Sequence, residues 1–298
     1  MEPDRTLLPM GFRSYCKARG LPIPLPERIP ADALQTPAAR AVLLDLELWN
    51  EDLVNAWETY LLCGGFPRAV SDFHDRGSVS GEFVDALRDV VRSEVVGQQT
   101  TLSEPQLLAV LQAISEGLTS SVSLRKVAED VGAGRNAVGN RLDDFCTAYL
   151  TWRLYQEHRQ MPKLRGQNKT YFTDPMLARL PSLMSPLLPE PGMDKLTEQQ
   201  LGLALLRAAE DDRKGSTNWA DRILFRRTPT GNEIDFVSGS FAIVPLESKY
   251  SDGPWRRDAL TLRSNRHGGL MCTRSVLDLG DEEIWAVPAA FVAALIDT

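Results

Sequence analysis

The stretch Gly231 to Tyr250, GNEIDFVSGSFAIVPLESKY, constrains the fold more than any other part of the chain. Two apolar runs rich in β-branched and aromatic residues read as strands, one over Glu233–Val237 and one over Phe241–Lys249. Ser238, Gly239 and Ser240 between them are turn residues that fold the second run back beside the first. Side chains alternate between the faces of a strand, so Glu247 and Lys249 point the same way. The antiparallel return then sets Asp235 next to Glu247.

These residue types suit one chemistry. A hard divalent cation such as Mg²⁺ takes oxygen ligands, often one or two carboxylates, and keeps several waters. It stabilises charge on an attacked phosphate and lowers the pKa of a bound water. A lysine beside it orients that water or offsets charge. A further carboxylate is expected from a preceding helix. Glu198 opens one, LTEQQLGLALLRAAEDD, with Leu201, Leu205 and Ala208 inward. The plain alternative is a solvated edge pair of Glu247 and Lys249, worth about 0–1 kcal/mol. Against it, Ile234, Phe236, Ile243, Val244 and Leu246 read as core, where unpaired charges cost several kcal/mol.

Asn232-Glu233-Ile234-Asp235-Phe236 followed by Pro245-Leu246-Glu247-Ser248-Lys249 resembles the PD-(D/E)xK nuclease core of restriction endonucleases. Other segments narrow the resemblance: Tyr60-Leu61-Leu62-Cys63-Gly64-Gly65-Phe66-Pro67-Arg68, a middle region like a winged helix, and Tyr171-Phe172-Thr173-Asp174-Pro175. Together they resemble a group of prokaryotic AAA/STAND-type ATPases. In that group an N-terminal ATPase module precedes a winged helix and a C-terminal restriction-endonuclease-like domain. The resemblance implies catalytic roles for Glu198, Asp235, Glu247 and Lys249. It implies Mg²⁺ or Mn²⁺ held by Asp235, Glu247 and Glu198, with the Ser248 carbonyl contributing. The chain has no glycine-rich phosphate loop ending in Gly-Lys-Ser/Thr; Gly132-Ala133-Gly134-Arg135 and Cys63-Gly64-Gly65 lack the lysine and the spacing. No ATP site is therefore expected here. The family's ATPase core would lie upstream of Met1, and that half is an expected partner.

At 298 residues and 43% hydrophobic, the chain can build two modest domains with real cores. A net charge of −7 is no basic nucleic-acid footprint, although Arg256, Arg257, Arg263, Arg266 and Arg274 make the nuclease-like flank locally basic. Cys16, Cys63, Cys146 and Cys272 are scattered, without the spacing of a zinc site, and read as buried thiols in a reducing cytoplasm. No apolar run reaches membrane length, so no membrane partner is expected. His74, His158 and His267 are isolated, which argues against histidine chemistry.

The expected fold class is multidomain: a helical and winged-helix N-terminal half, then a restriction-endonuclease-like mixed α/β domain. Pro22, Pro24, Pro26, Pro30 and Pro37 break any long helix, so residues 1–36 read as a short helix, Phe12 to Arg19, then a mobile linker or docking arm. Residues 37–100 form a helical region, with Phe66-Pro67 a turn. Residues 101–170 form the winged helix-turn-helix, its recognition helix running from Arg135 to Tyr149. Arg135, Asn136, Asn140 and Arg141 are its candidate DNA contacts, with Asp143 and Asp144 opposing phosphate. Lys163, Arg165 and Lys169 are candidate phosphate contacts from the wing. Residues 171–298 form the nuclease-like domain in the order α-β-β-β-α-β, after a proline-rich boundary at Pro181–Gly192. Three readings stay open: a metal-dependent DNA nuclease, a silent nuclease-fold and winged-helix scaffold binding DNA or protein, and a transcriptional regulator.

Overall fold

The computed structural model describes residues 8–96, 103–121, 123–164, 168–212, 219–228, 231–263 and 268–297. It is mixed α and β. The chain separates into two compact units, one from Met1–Tyr60, Tyr155–Gly166 and Gln200–Thr298, the other from Leu61–Leu154 and Gln167–Gln199. The division differs from the consecutive domains at 36, 100 and 170 expected above, because each unit draws on separated stretches of chain.

The first half of the chain is helical. It runs through α1 (Phe12–Ala18), α2 (Pro37–Leu46), α3 (Asn50–Cys63), α4 (Pro67–Arg76), α5 (Gly81–Val96), α6 (Glu104–Glu116), α7 (Leu124–Val131) and α8 (Arg135–Thr147). Then come β1 (Thr151–His158), β2 (Met161–Pro162), β3 (Lys169–Phe172), α9 (Pro175–Met184) and α10 (Met193–Asp212). The last third holds β4 (Ile223–Arg227), β5 (Glu233–Ser238), β6 (Leu246–Ser248), α11 (Trp255–Asp258), α12 (Leu260–Arg263), β7 (Gly269–Thr273), β8 (Ile284–Pro288) and α13 (Ala289–Ile296).

In the first unit the strand order is β2-β1-β4-β5-β6-β7-β8. β4, β5 and β6 form an antiparallel meander, and β6, β7 and β8 run parallel. A parallel return needs a crossover, and α11 and α12 supply it between β6 and β7. Their Trp255, Ala259 and Leu262 pack with Leu224, Ile234, Met271 and Ala286 in one core. β6 is shorter than the strand expected over Phe241–Lys249. Pro245 has no N–H for a ladder, and Ser238 Oγ closes a local loop by bonding the Ile243 amide at 3.0 Å. The crossover helix is interrupted at Ala259, and its expected end near Arg266 lies outside the described residues.

The proline-rich N-terminal segment is not a mobile arm. Phe12, Tyr15, Cys16, Ile23, Ala31 and Leu34 are buried. The Ile29 amide bonds the Leu295 carbonyl at 3.0 Å, and the Val244 amide bonds that of Ala31 at 2.9 Å. Asp297 accepts from the Phe12 amide at 2.6 Å and from Arg207 at 3.2 Å. A Cβ on Gly11 would come within 2.0 Å of that carboxylate, so glycine is what lets the backbone approach. Prolines break helices but do not prevent an extended chain from packing.

The second unit contains α6, α7 and α8, followed by an antiparallel pairing of Thr151–Leu154 with Lys169–Phe172. Ser123 caps α7, and Gly132 ends it with φ +65°. Two prolines behave differently from expectation. Pro67 starts α4 rather than a turn, since proline at the first helical position loses no hydrogen bond. Pro181 lies inside α9, buried, not at a boundary. Among the described residues no helix is long and apolar enough to cross a membrane.

Candidate functional site

The β5–β6 pairing sets Phe236 opposite Leu246. In an antiparallel ladder the next pair outward is then Asp235 and Glu247, on one face. The two carboxylates are interlocked with the backbone. The Ser248 amide donates to Asp235 Oδ2 at 2.9 Å, and the Asp235 amide donates to Glu247 Oε2 at 3.3 Å. Asp235 is buried, 6% exposed, and Glu247 is half-buried. The buried Cys272 thiol on neighbouring β7 has its pKa pushed up, first by burial and then by the fields of Asp235 and Glu247. Both carboxylates therefore act on the same patch of sheet. Lys249 follows directly, exposed, its amide bonding the Cys272 carbonyl at 2.8 Å. So the structure brings Asp235, Glu247 and Lys249 to the carboxyl end of β6.

The donor set is all oxygen, which fits a hard cation such as Mg²⁺ or Mn²⁺. Ser248 lies between Glu247 and Lys249, so its hydroxyl, buried without a hydrogen-bond partner, faces the other side of the strand and is not part of this set. A carboxylate offers about four lone-pair positions, so accepting one N–H does not exhaust Asp235. No cluster of three or more His, Cys, Asp or Glu with metal-binding geometry occurs among the described residues.

Glu198 lies in the second unit, on the first part of α10. Its Oε1 accepts from Lys169 Nζ at 2.9 Å and from the Tyr171 hydroxyl at 2.5 Å. Lys169 is 1% exposed, which removes it from the wing's candidate phosphate contacts. Arg165 lies outside the described residues. On α8, Arg135, Asn136 and Asn140 are exposed, whereas Arg141 is buried and paired with Asp144 at 2.5 Å. Asp143 pairs with Arg153 at 2.6 Å. The two aspartates thus hold α8 arginine and strand arginine in place, besides opposing phosphate.

Residues 54–185 match the model of a domain of unknown function, DUF8612. No curated protein and no solved structure matches the chain. The matched stretch ends before Asp235, Glu247 and Lys249. It does include Gly64-Gly65-Phe66-Pro67 and Tyr171-Phe172-Thr173-Asp174-Pro175, and these two segments meet in the second unit. Asp174 caps α9 through the Met176 amide and accepts from the Gly65 amide, both at 2.8 Å. Gly64 has φ +68°, and a Cβ there would sit 2.2 Å from Asp174 Oδ1. Arg179 donates to the Leu62 carbonyl near the end of α3 and pairs with Glu190. Both of these segments of the resemblance therefore have a structural job: they tie helix ends together.

The locally basic flank of β6 and β7 is largely paired with acids. Arg256 bonds Asp278 at 2.5 Å, Arg263 bonds Asp281, and Arg274 bonds Glu58 at 2.8 Å and Asp252 at 3.1 Å. Asp281 is held down to about 2, foremost by the Arg263 hydrogen bond. Asp252 is lowered, first by the Ser275 hydroxyl. Tyr250 donates to Glu58 at 3.1 Å, and burial pushes its phenol up, Glu58 adding to the effect. Arg266 lies outside the described residues. No local pattern points to Glu58, which sits on α3, far upstream of the residues it binds.

Proposed function

We propose that the first unit carries a divalent-metal-dependent phosphodiesterase site of the PD-(D/E)xK type, built from Asp235, Glu247 and Lys249 with Mg²⁺ or Mn²⁺. The observation that supports this most is the cross-strand pairing of Asp235 with Glu247, with Lys249 two residues on. The order of β4, β5, β6, the α11–α12 crossover and β7, after α10, supports a restriction-endonuclease-like core.

The Ser248 amide pre-orients Asp235, so the carboxylate pays little ordering entropy on taking a ligand. Glu247, anchored by the Asp235 amide, supplies the second oxygen donor. When bound, the ion supplies Lewis-acid stabilisation of the phosphate and a bound water of lowered pKa. Lys249, exposed at the end of β6, would donate to a phosphate oxygen or hold the attacking water. Glu198 is left out of this set, because a buried ammonium and a phenol already hold its carboxylate. DNA is the substrate class the family resemblance implies, and an ATPase half its partner.

The test is hydrolysis of DNA by the purified full chain with Mg²⁺ or Mn²⁺. Asp235→Asn and Lys249→Ala should each lower the rate about 100-fold or more. Wild type that cuts nothing, or that matches both variants, sinks the proposal. A second reading, a silent scaffold binding DNA or protein, is favoured by the engagement of both carboxylates with backbone amides. It predicts that Asp235→Asn changes neither activity nor Mn²⁺ affinity.

A further inference from the structure

β1, β4 and β6 share one direction. β1 runs parallel to β4, and the two antiparallel pairings through β5 return β6 to that direction. The carboxyl end of β1 therefore lies on the same edge of the sheet as Lys249, just past β6. Ligands of open sheets bind outside the carboxyl ends of parallel strands. At this edge β1 turns through Arg159 and Gln160 into β2, with His158 paired to Met161. This hairpin belongs to the first unit, as Asp235, Glu247 and Lys249 do.

The hairpin tip is built unlike an ordinary turn. Arg159 and Gln160 both have left-handed backbones, φ +52° and +64°, where a two-residue turn favours asparagine and glycine. Residues held in such conformations cluster where a protein binds or reacts. Arg159 and Lys163 are exposed and bonded to no carboxylate among the described residues. Glu157 and Glu233, at the same edge, are taken up by Arg226 and Arg227. Met161 and Leu164, 64% and 67% exposed, add apolar surface to the same short segment. The register sets Gln156 opposite Phe225 and Arg226 opposite Ile234, so Arg159 lies only a few residues beyond the level of Asp235. Three strand spacings of ~4.8 Å and a few residues of ~3.3 Å put the tip about 15–20 Å from the carboxylate pair. At ~3.4 Å per stacked nucleotide, that span is about five nucleotides.

We infer that the β1–β2 hairpin is a strand-holding arm of the phosphodiesterase site. Arg159 and Lys163 bind backbone phosphates of a single-stranded nucleic acid about five nucleotides from the scissile bond. Met161 and Leu164 meet its unpaired bases. This rests on the phosphodiesterase reading of Asp235, Glu247 and Lys249. A single strand fits better than a duplex for two reasons. Its base faces are open to apolar side chains, whereas a duplex keeps them stacked inside. A duplex is also held through many phosphates, and a chain of net charge −7 with most of its sheet arginines paired supplies few free cations.

The test compares the full chain with its double variant Arg159→Asn/Lys163→Gln. Asparagine is favoured in this turn, so the variant should melt no lower than wild type. With Ca²⁺ in place of Mg²⁺, binding of a labelled thymidine oligomer of about 12 nucleotides is followed by fluorescence anisotropy over a salt series. The variant should bind about tenfold more weakly, with a log–log salt slope shallower by about 1.4, two phosphates at ~0.7 each. With Mn²⁺, kcat/KM is measured for the oligomer and for the p-nitrophenyl ester of thymidine 5′-monophosphate, which is too short to reach the hairpin. The ratio of oligomer to ester should fall about tenfold in the variant. Wild type that does not bind the oligomer, an unchanged slope or ratio, or a 20-base-pair duplex bound more tightly than the oligomer overturns the inference. So does wild-type binding to vesicles of phosphatidylserine and phosphatidylcholine that the variant loses, since the tip would then be a membrane contact. Absence of hydrolysis of both substrates sinks the phosphodiesterase reading, whereas the salt slope, read without cutting, judges the hairpin separately.

Discussion

At the scale of single residues, burial decides what each charge does. Lys169 and Glu198 are the clearest pair. Lys169→Met leaves a buried carboxylate without its ammonium, which typically costs about 3–5 kcal/mol. Denaturant midpoints should show that loss, and Glu198→Gln in the Lys169→Met background should recover part of it. Equal stability of wild type and Lys169→Met would mean the pair is not formed. The thiols give a second check. Burial pushes Cys16 up to about 12 and raises Cys146 and Cys272. Since the thiolate is the reactive form, these three should resist alkylation at pH 8 until the chain unfolds. Asp281 gives a pH signature. Its folded value, about 2, lies below that of an unfolded aspartate, about 3.9. Its contribution is present above pH ~4 and is lost as pH falls through about 2. Asp281→Asn should flatten the acid limb of the stability profile over that window.

At the scale of elements, one carboxylate holds together helix ends that are far apart in sequence. Asp174→Ala removes the cap of α9 and strands the buried Gly65 amide. The two losses together should cost about 2 kcal/mol or more, read as a lower melting temperature. Gly64→Ala should be at least as damaging, because its φ and the space beside it both exclude a Cβ. Most helices here were legible in the sequence. Thr36 and Ser123 precede apolar-periodic runs, and each accepts from an amide in the first turn of the helix that follows. The turn at Ser238–Ser240 and the pairing of Asp235 with Glu247 were legible too, because strand alternation and a short turn leave few registers. What was not legible was the cost of Pro245 to the strand around it, or that Pro67 and Pro181 would sit within helices. A proline is read from its missing N–H, yet whether that N–H was needed depends on where the helix begins and what packs on it.

At the scale of the whole molecule, the N-terminal segment belongs to the core of the first unit. A chain starting at Pro37 would lose Phe12, whose ring meets Trp57 edge-on at 4.9 Å, and would leave the buried Asp297 without the Phe12 amide. Such a truncation should fail to give a cooperative melt of this unit. A cooperative melt at the wild-type temperature would show the segment to be dispensable.

The sequence by itself determined the alternation, turn and capping patterns, because these depend on neighbours within a few residues. From them followed the mixed α/β class and the meeting of Asp235 with Glu247 ahead of Lys249. Only the tertiary structure decided which charges are available. It buried Lys169 against Glu198 and Arg141 against Asp144, brought Glu58 to Arg274 and Tyr250, and folded the proline-rich segment against the last helix. The physical reason is that pairing and desolvation depend on residues tens to hundreds of positions apart. No local pattern carries that information.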